Sequence, residues 1–187
     1  MRRIALPVLV VVLLFCGCGP KAITEGSRPF SSGKGGFADA SGKVLSNLPD
    51  SGEPFRLVLL DFTWCPACQS VWDSVREAAE TAPPGSVRIY RILFDKETLI
   101  TASGKKETAP LRPAPPPWPE LPGNAENIKV TTFIALPEVF QEELRVSKTP
   151  MLLLINQEGT VKRRWDGYST NLKEDLSAEL SKTAPLH

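Results

Sequence analysis

The segment that most constrains the fold is LVLLDFTWCPACQ, in which a mostly apolar run, residues 57–62, is followed three positions later by a Cys-x-x-Cys pair. A short run of this kind is typical of a strand buried on both faces. The apolar residues that follow have helical spacing: Cys68, Val71, Trp72, Val75, Ala78 and Ala79. A second apolar run, 87–94, comes after the helix-ending sequence Pro83-Pro84-Gly85. The sequence therefore predicts a β–α–β unit with Cys65 at the N-terminus of its helix.

This position favours a reactive thiolate at Cys65. Unpaired backbone N–H groups and the helix dipole stabilise an anion there, and cysteine pKa values at such positions fall from about 8.5 to ~3.5–7.5. Pro66 suits the first helical turn, where its missing N–H is not needed. Cys68 lies one turn further and is expected to point toward the core. We predict that Cys65 attacks a disulfide and Cys68 resolves the product, with a purely structural disulfide as the alternative.

The small number of cysteine and histidine residues limits the chemistry that the Cys65–Cys68 pair can perform. A structural zinc site needs four ligands, whereas the chain has four cysteines in all and His187 as its single histidine. We therefore predict no metal and no cofactor. The formal charge is +1, from 22 basic and 21 acidic residues, and gives no basic field for a nucleic acid.

The N-terminus predicts export from the cytoplasm. Arg2 and Arg3 precede an apolar run of about a dozen residues, which is too short to cross a bilayer comfortably. The run ends in FCGC, which resembles the lipobox of bacterial lipoproteins, so Cys18 is the predicted lipid attachment site. Plain secretion and an uncleaved anchor remain alternatives. We divide the chain into a signal segment at 1–18, a flexible tether at 19–36, rich in Gly and Ser, and a domain at 37–187.

The second half of the chain adds a further motif. Thr149-Pro150 precedes the apolar run MLLLI, the turn NQEGT, a second strand pattern VKRRWDGY and a helix pattern that begins at Asn171. Together with WCPAC after a buried strand, this order resembles the thioredoxin superfamily, and most of all its extracytoplasmic TlpA/ResA-like branch. The resemblance implies an α/β thioredoxin fold, a central mixed β-sheet flanked by helices. It also implies that Pro150 is a cis proline and that Thr149 binds the backbone of a client protein.

A proline-rich insertion, about 95–137, interrupts the resemblance before the cis-proline strand. It contains APLRPAPPPWPELPG, whose seven prolines exclude a helix or a central strand there. The insertion is either a partner-facing cover that uses Trp118 or a surface excursion packed by its own side chains. Residues 128–136 are a candidate extra strand, and residues 137–145 a candidate short helix.

Two residues that precede the cysteine pair, Asp61 and Trp64, are further candidates for roles at the site. Asp61 is a candidate for proton transfer, or else a strand-end aspartate that is solvated or caps a neighbouring group. Trp64 is expected to cover one side of the pair, and with Pro66, Thr149 and Pro150 it forms the predicted client-binding surface.

The resemblance implies a thiol-disulfide oxidoreductase tethered on the outer face of the cytoplasmic membrane. Its predicted partners are client protein disulfides or thiols, a membrane thiol-disulfide electron donor, and the membrane itself through a lipid anchor. The direction is expected to be reductive, in cytochrome c maturation or disulfide repair. A non-catalytic module that binds partners or senses redox state is the alternative.

Overall fold

The computed structural model describes residues 22–30, 36–39, 41–62, 65–94, 129–136 and 149–182. The signal segment with Cys18, the side chains of Trp64 and Trp118, and the candidate helix at 137–145 lie outside the described residues. None of the described helices is long and apolar enough to cross a membrane.

The described strands form one mixed sheet in the order β2-β1-β5-β4-β3-β6-β7. The strands are β1 (Phe37–Ala38), β2 (Val44–Leu45), β3 (Phe55–Phe62), β4 (Val87–Phe94), β5 (Val130–Ala135), β6 (Met151–Asn156) and β7 (Val161–Asp166); the helices are α1 (Pro66–Ala79) and α2 (Leu172–Ser181). The predicted β–α–β unit is present as β3, α1 and β4, with β3 parallel to β4 and antiparallel to β6.

The sheet is buried on both faces. Along β3, Leu57 and Leu59 pack beneath the two helices, whereas Val58, Leu60 and Phe62 pack into a cluster on the opposite face. The six residues predicted to form the apolar side of α1 are its buried residues. Helix α1 ends at Ala79, four residues before the Pro-Pro-Gly sequence that was expected to stop it.

The end of the insertion contributes to the sheet interior. The predicted extra strand is β5, which is parallel to β4 on one side and antiparallel to β1 on the other. Phe133 and Ala135 of this strand are buried in the core. The prediction of an extra strand here is therefore confirmed, and a strand hydrogen-bonded on both sides belongs to the sheet. Residues 95–128 lie outside the described residues.

The N-terminal strap, defined as residues 22–30, differs from the flexible tether expected over 19–36. Ile23 and Phe30 are buried, with 1% and 8% of their surfaces exposed, in the core cluster opposite the helices. The backbone is hydrogen-bonded to the outer edge of β7, since the Gly26 N–H donates to the Val161 carbonyl at 2.8 Å and the Val161 N–H donates to the Ser27 carbonyl at 2.9 Å. The strap thus covers an edge strand that would otherwise expose unpaired backbone groups.

A side chain of β7 also holds the strap. Arg164 donates a hydrogen bond to the Ile23 carbonyl and is paired with Asp166 at 2.7 Å. The preceding residue, Arg163, instead has a side chain that is 50% exposed, beside Glu25.

We predict that Ile23→Ala lowers the free energy of unfolding by about 2–5 kcal/mol, because it leaves a cavity under the strap. Urea denaturation measures the change. Val44→Ala is the matched control, because Val44 is 57% exposed and its truncation should cost less than about 0.5 kcal/mol. Equal stabilities for Ile23→Ala and the control would show that the strap is not part of the folded core.

Candidate active site

Cys65 and Cys68 form a disulfide at the start of α1. Cys65 is the N-cap residue of the helix, Pro66 is in its first turn, and the two Cα atoms are 5.4 Å apart. The Cys65 N–H donates to the Phe62 carbonyl at 3.0 Å, which links the start of the helix to the end of β3. Cys65 is partly exposed, whereas Cys68 is 1% exposed. An incoming thiolate therefore has access to Cys65, while Cys68 is shielded.

The electrostatic surroundings of Cys65 favour an anion. The first turn of α1 contains no acidic residue that would compete for the unpaired N–H groups. On reduction, a Cys65 thiolate would thus lie at the positive end of a helix of 14 residues.

The strand register brings the Thr149–Pro150 segment to the same end of the sheet. Leu60 of β3 is paired with Met151 of β6, so the residues just before Met151 lie level with the last residues of β3, which lead into Cys65. The Thr149–Pro150 peptide bond is cis, as the sequence predicted. Pro150 is buried and Thr149 is exposed, so the polar groups of Thr149 face solvent beside the end of β3.

The end of a third strand, β7, lies at the same end of the sheet. Met151 is paired with Asp166 of β7, and the Gly167 N–H donates to the Pro150 carbonyl at 2.7 Å. Tyr168 follows, and 50% of its surface is exposed, although it is a large aromatic residue. Adjacent strands are about 4.8 Å apart, which places the end of β7, just before Tyr168, about 10 Å from β3. Tyr168 was not among the residues predicted from the sequence, where its signal was an aromatic residue directly after the glycine that follows a strand pattern.

Asp61 is not solvated, so the structure contradicts that interpretation. Its carboxylate is 1% exposed and is paired with the Arg91 guanidinium of β4, with Arg91 Nε 2.7 Å from Asp61 Oδ2. The other carboxylate oxygen, Oδ1, has no hydrogen-bond partner among the described residues. No local sequence pattern indicated this pair, because a charged residue within an apolar strand does not reveal which neighbour faces it.

Burial affects the titration of both members of the pair. It raises the pKa of Asp61 above its ordinary value, and the charge and hydrogen bond of Arg91 offset only part of that rise. Burial also lowers the pKa of Arg91 to about 10, against the opposing charge of Asp61. Asp61 is thus a carboxyl group that accepts a proton more readily than a solvated aspartate, one residue before the end of β3.

The candidate site therefore consists of the disulfide, the cis-proline segment and the strand end at Tyr168, above a buried ion pair. Trp64, predicted to cover the disulfide, lies outside the described residues. Within the described ranges, no group of three or more His, Cys, Asp or Glu side chains is arranged to hold a metal ion.

Comparison with solved structures identifies the fold. A thioredoxin-like protein from Aeropyrum pernix superimposes with a TM-score of 0.53 at 14% identity, over 77% of this chain and 88% of that one. The thioredoxin domain of a thiol-disulfide oxidoreductase from Bacteroides vulgatus superimposes with a TM-score of 0.53 at 12% identity, over 86% of this chain and 100% of that one. No protein-family model matches the sequence, and neither does any curated protein. The chain has a thioredoxin fold, which confirms the predicted fold class.

We predict that Arg91→Met destabilises the protein by about 3–5 kcal/mol at neutral pH, because it leaves a buried carboxylate without its cation. Without Arg91 the pKa of Asp61 rises further, since Arg91 is what opposes the effect of burial. The folded state then holds a proton that the unfolded chain releases, so stability is lost as the pH rises through that pKa. The cost should therefore be smaller at pH 5 than at pH 8 in urea denaturation.

The control for this experiment is Arg88→Met, three residues earlier on the same strand. Arg88 is paired at 2.9 Å with Glu53, and both side chains are 18% exposed. Because both groups are in contact with solvent, the loss should be about 1 kcal/mol and similar at the two pH values. An Arg91→Met cost that does not change with pH would contradict a pKa of Asp61 raised by burial and opposed by Arg91.

Proposed function

We propose that this protein is a thiol-disulfide oxidoreductase that exchanges disulfides with client proteins through Cys65 and Cys68. The observation that supports this most directly is the placement of a partly exposed Cys65 at a helix N-terminus, bonded to a buried Cys68. A structural role for the disulfide is disfavoured, because a loop closed over three residues gains little chain entropy.

The proposed reaction in the reductive direction has two exchange steps. The Cys65 thiolate attacks one sulfur of a client disulfide; an S–S bond forms between Cys65 and the client, and the other client sulfur leaves as a thiolate. The Cys68 thiolate then attacks the Cys65 sulfur and releases the second client thiolate. Two electrons pass from the enzyme dithiol to the client, whose two thiolates take up protons, and the Cys65–Cys68 disulfide of this structure is the product.

The proposed client-binding surface is the end of the sheet at which β3 and β7 end and β6 begins. The exposed Thr149 would pair its backbone with an extended client segment, in the manner of an added strand. The carbonyl of the cis Pro150 accepts a hydrogen bond from the Gly167 N–H on the β7 side. In this proposal the client binds on the other side of the segment. Tyr168 would add apolar contact at one end, and Trp64 and Pro66 at the other.

Asp61 is proposed to assist proton transfer at the buried cysteine. Cys68 must lose its proton in a region with little water before it can attack the mixed disulfide. The raised pKa of Asp61 makes it a suitable acceptor, because general bases act best when their pKa is close to the working pH. In this proposal Arg91 holds the carboxylate at the end of β3.

The proposed location is the outer face of the cytoplasmic membrane, with a lipid anchor at Cys18 and a membrane dithiol as electron donor. The apolar N-terminal run and the FCGC sequence support this location. Apocytochromes and wrongly oxidised proteins are the proposed clients. A non-catalytic binding or redox-sensing module would use the same surface without turnover, and the following experiment separates the two.

We expect Cys65→Ser to abolish dithiothreitol-dependent reduction of insulin disulfides, because the variant lacks the attacking sulfur. Cys68→Ser should instead accumulate a mixed disulfide between Cys65 and its client, which non-reducing electrophoresis and mass spectrometry of cell extracts would identify. Wild-type activity in Cys65→Ser, or no activity in the native protein, would exclude the enzymatic proposal.

We expect Tyr168→Ala to lower kcat/KM for insulin by about three- to tenfold, the loss of one aromatic contact. The rate with hydroxyethyl disulfide should be unchanged, because this small substrate does not reach beyond the cysteine. Val44→Ala is the matched control: Val44 is the other exposed large apolar residue among the described ones and lies on β2, at the opposite edge of the sheet. Equal losses with both substrates would contradict a client-binding role for Tyr168.

A further inference from the structure

The strap has a defined direction along β7. Ser27 is hydrogen-bonded to Val161 at the start of the strand, and Arg164, further along, reaches the Ile23 carbonyl. Between these points Glu25 is paired with Arg163. The strap therefore runs antiparallel to β7, and the chain enters it beside the later part of that strand.

The later part of β7 leads to the candidate active site. Gly167, which is hydrogen-bonded to Pro150, is three residues after Arg164, or about 10 Å along an extended chain. The start of the strap and Tyr168 thus lie at the same end of the sheet. The disulfide lies at this end too, two strands away across β6.

The chain between the proposed anchor and the strap is short. Cys18 is four residues before Ala22, where the strap begins, so the two Cα atoms are separated by at most about 14 Å. A free tether over 19–36 would have allowed the domain to turn in any direction. A strap packed through Ile23 and Phe30 removes most of that freedom.

We infer that the strap holds the end of the domain that bears Cys65 toward the bilayer, so that its preferred redox partner is a disulfide or dithiol located at the membrane surface. This inference rests on the proposed function, namely lipid attachment at Cys18 and exchange at Cys65. With such a partner dithiol, two thiols of the partner become a disulfide while the Cys65–Cys68 disulfide becomes a dithiol; the balance of electrons and protons is that given above, in reverse.

The test uses the full-length lipidated protein in phospholipid vesicles, with dithiothreitol as reductant. The probe is one disulfide peptide in two forms, free in solution or joined to a lipid headgroup by a short linker. One variant carries a Gly-Ser linker of about 16 residues between Lys21 and Ala22, which lengthens the connection to the anchor. The matched control carries the same linker between Ser32 and Gly33, after the strap, and leaves that connection unchanged.

We expect the linker before the strap to lower the rate with the lipid-linked peptide by about tenfold, because effective concentration falls as a connection lengthens. The control insertion should leave this rate unchanged, and all three proteins should reduce the free peptide equally. An unchanged or increased rate with the linker before the strap would overturn the inference, as would a mass showing no lipid at Cys18. Failure of every protein to reduce the free peptide would instead overturn the proposed exchange activity, and this inference with it.

Discussion

The structure depends on the complete burial of β3 between two hydrogen-bonded neighbours. Seven consecutive residues of this strand, from Arg56 to Phe62, are buried, and its apolar side chains alternate between the two core clusters. The strand can therefore shift neither its register nor its face without exposing a core cluster. Because Cys65 is three residues beyond its last residue, the position of the disulfide is fixed by the packing of the whole sheet.

The same register explains how a site arises from residues distant in the sequence. The segments that meet at one edge are separated by more than 80 residues between Cys65 and Thr149 and by a hairpin between Pro150 and Gly167. Cys65, Thr149 and Gly167 are each exposed or partly exposed, so backbone groups there can contact water and are not left as buried unpaired donors. Rigid strands position these groups at one end of the sheet.

The site contains two different arrangements of charge, one at the N-terminus of α1 and one in the buried Asp61–Arg91 pair. The helix N-terminus supplies partial positive charge to the partly exposed cysteine, at no cost in buried charge. Beneath it, the Asp61–Arg91 pair places two full charges in the core, where desolvation penalises both. A buried pair of this kind is weak evidence for stability. Its position beside the end of β3 is the observation on which the proposed role of Asp61 in proton transfer rests.

Much of the architecture could be predicted from local patterns. The apolar run of β3, the helical spacing of α1 and the motif around Pro150 identified the fold and the cysteine pair, because these patterns depend on residues close in sequence. The strap, the Asp61–Arg91 pair and the exposed Tyr168 could not be predicted in this way. Residues 22–30 are polar and glycine-containing apart from a few apolar positions, so their composition resembled a tether. The sequence by itself determined which segments are strands and helices; only the tertiary structure decided which segments lie side by side, because those contacts join residues whose separation along the chain carries no periodic signal.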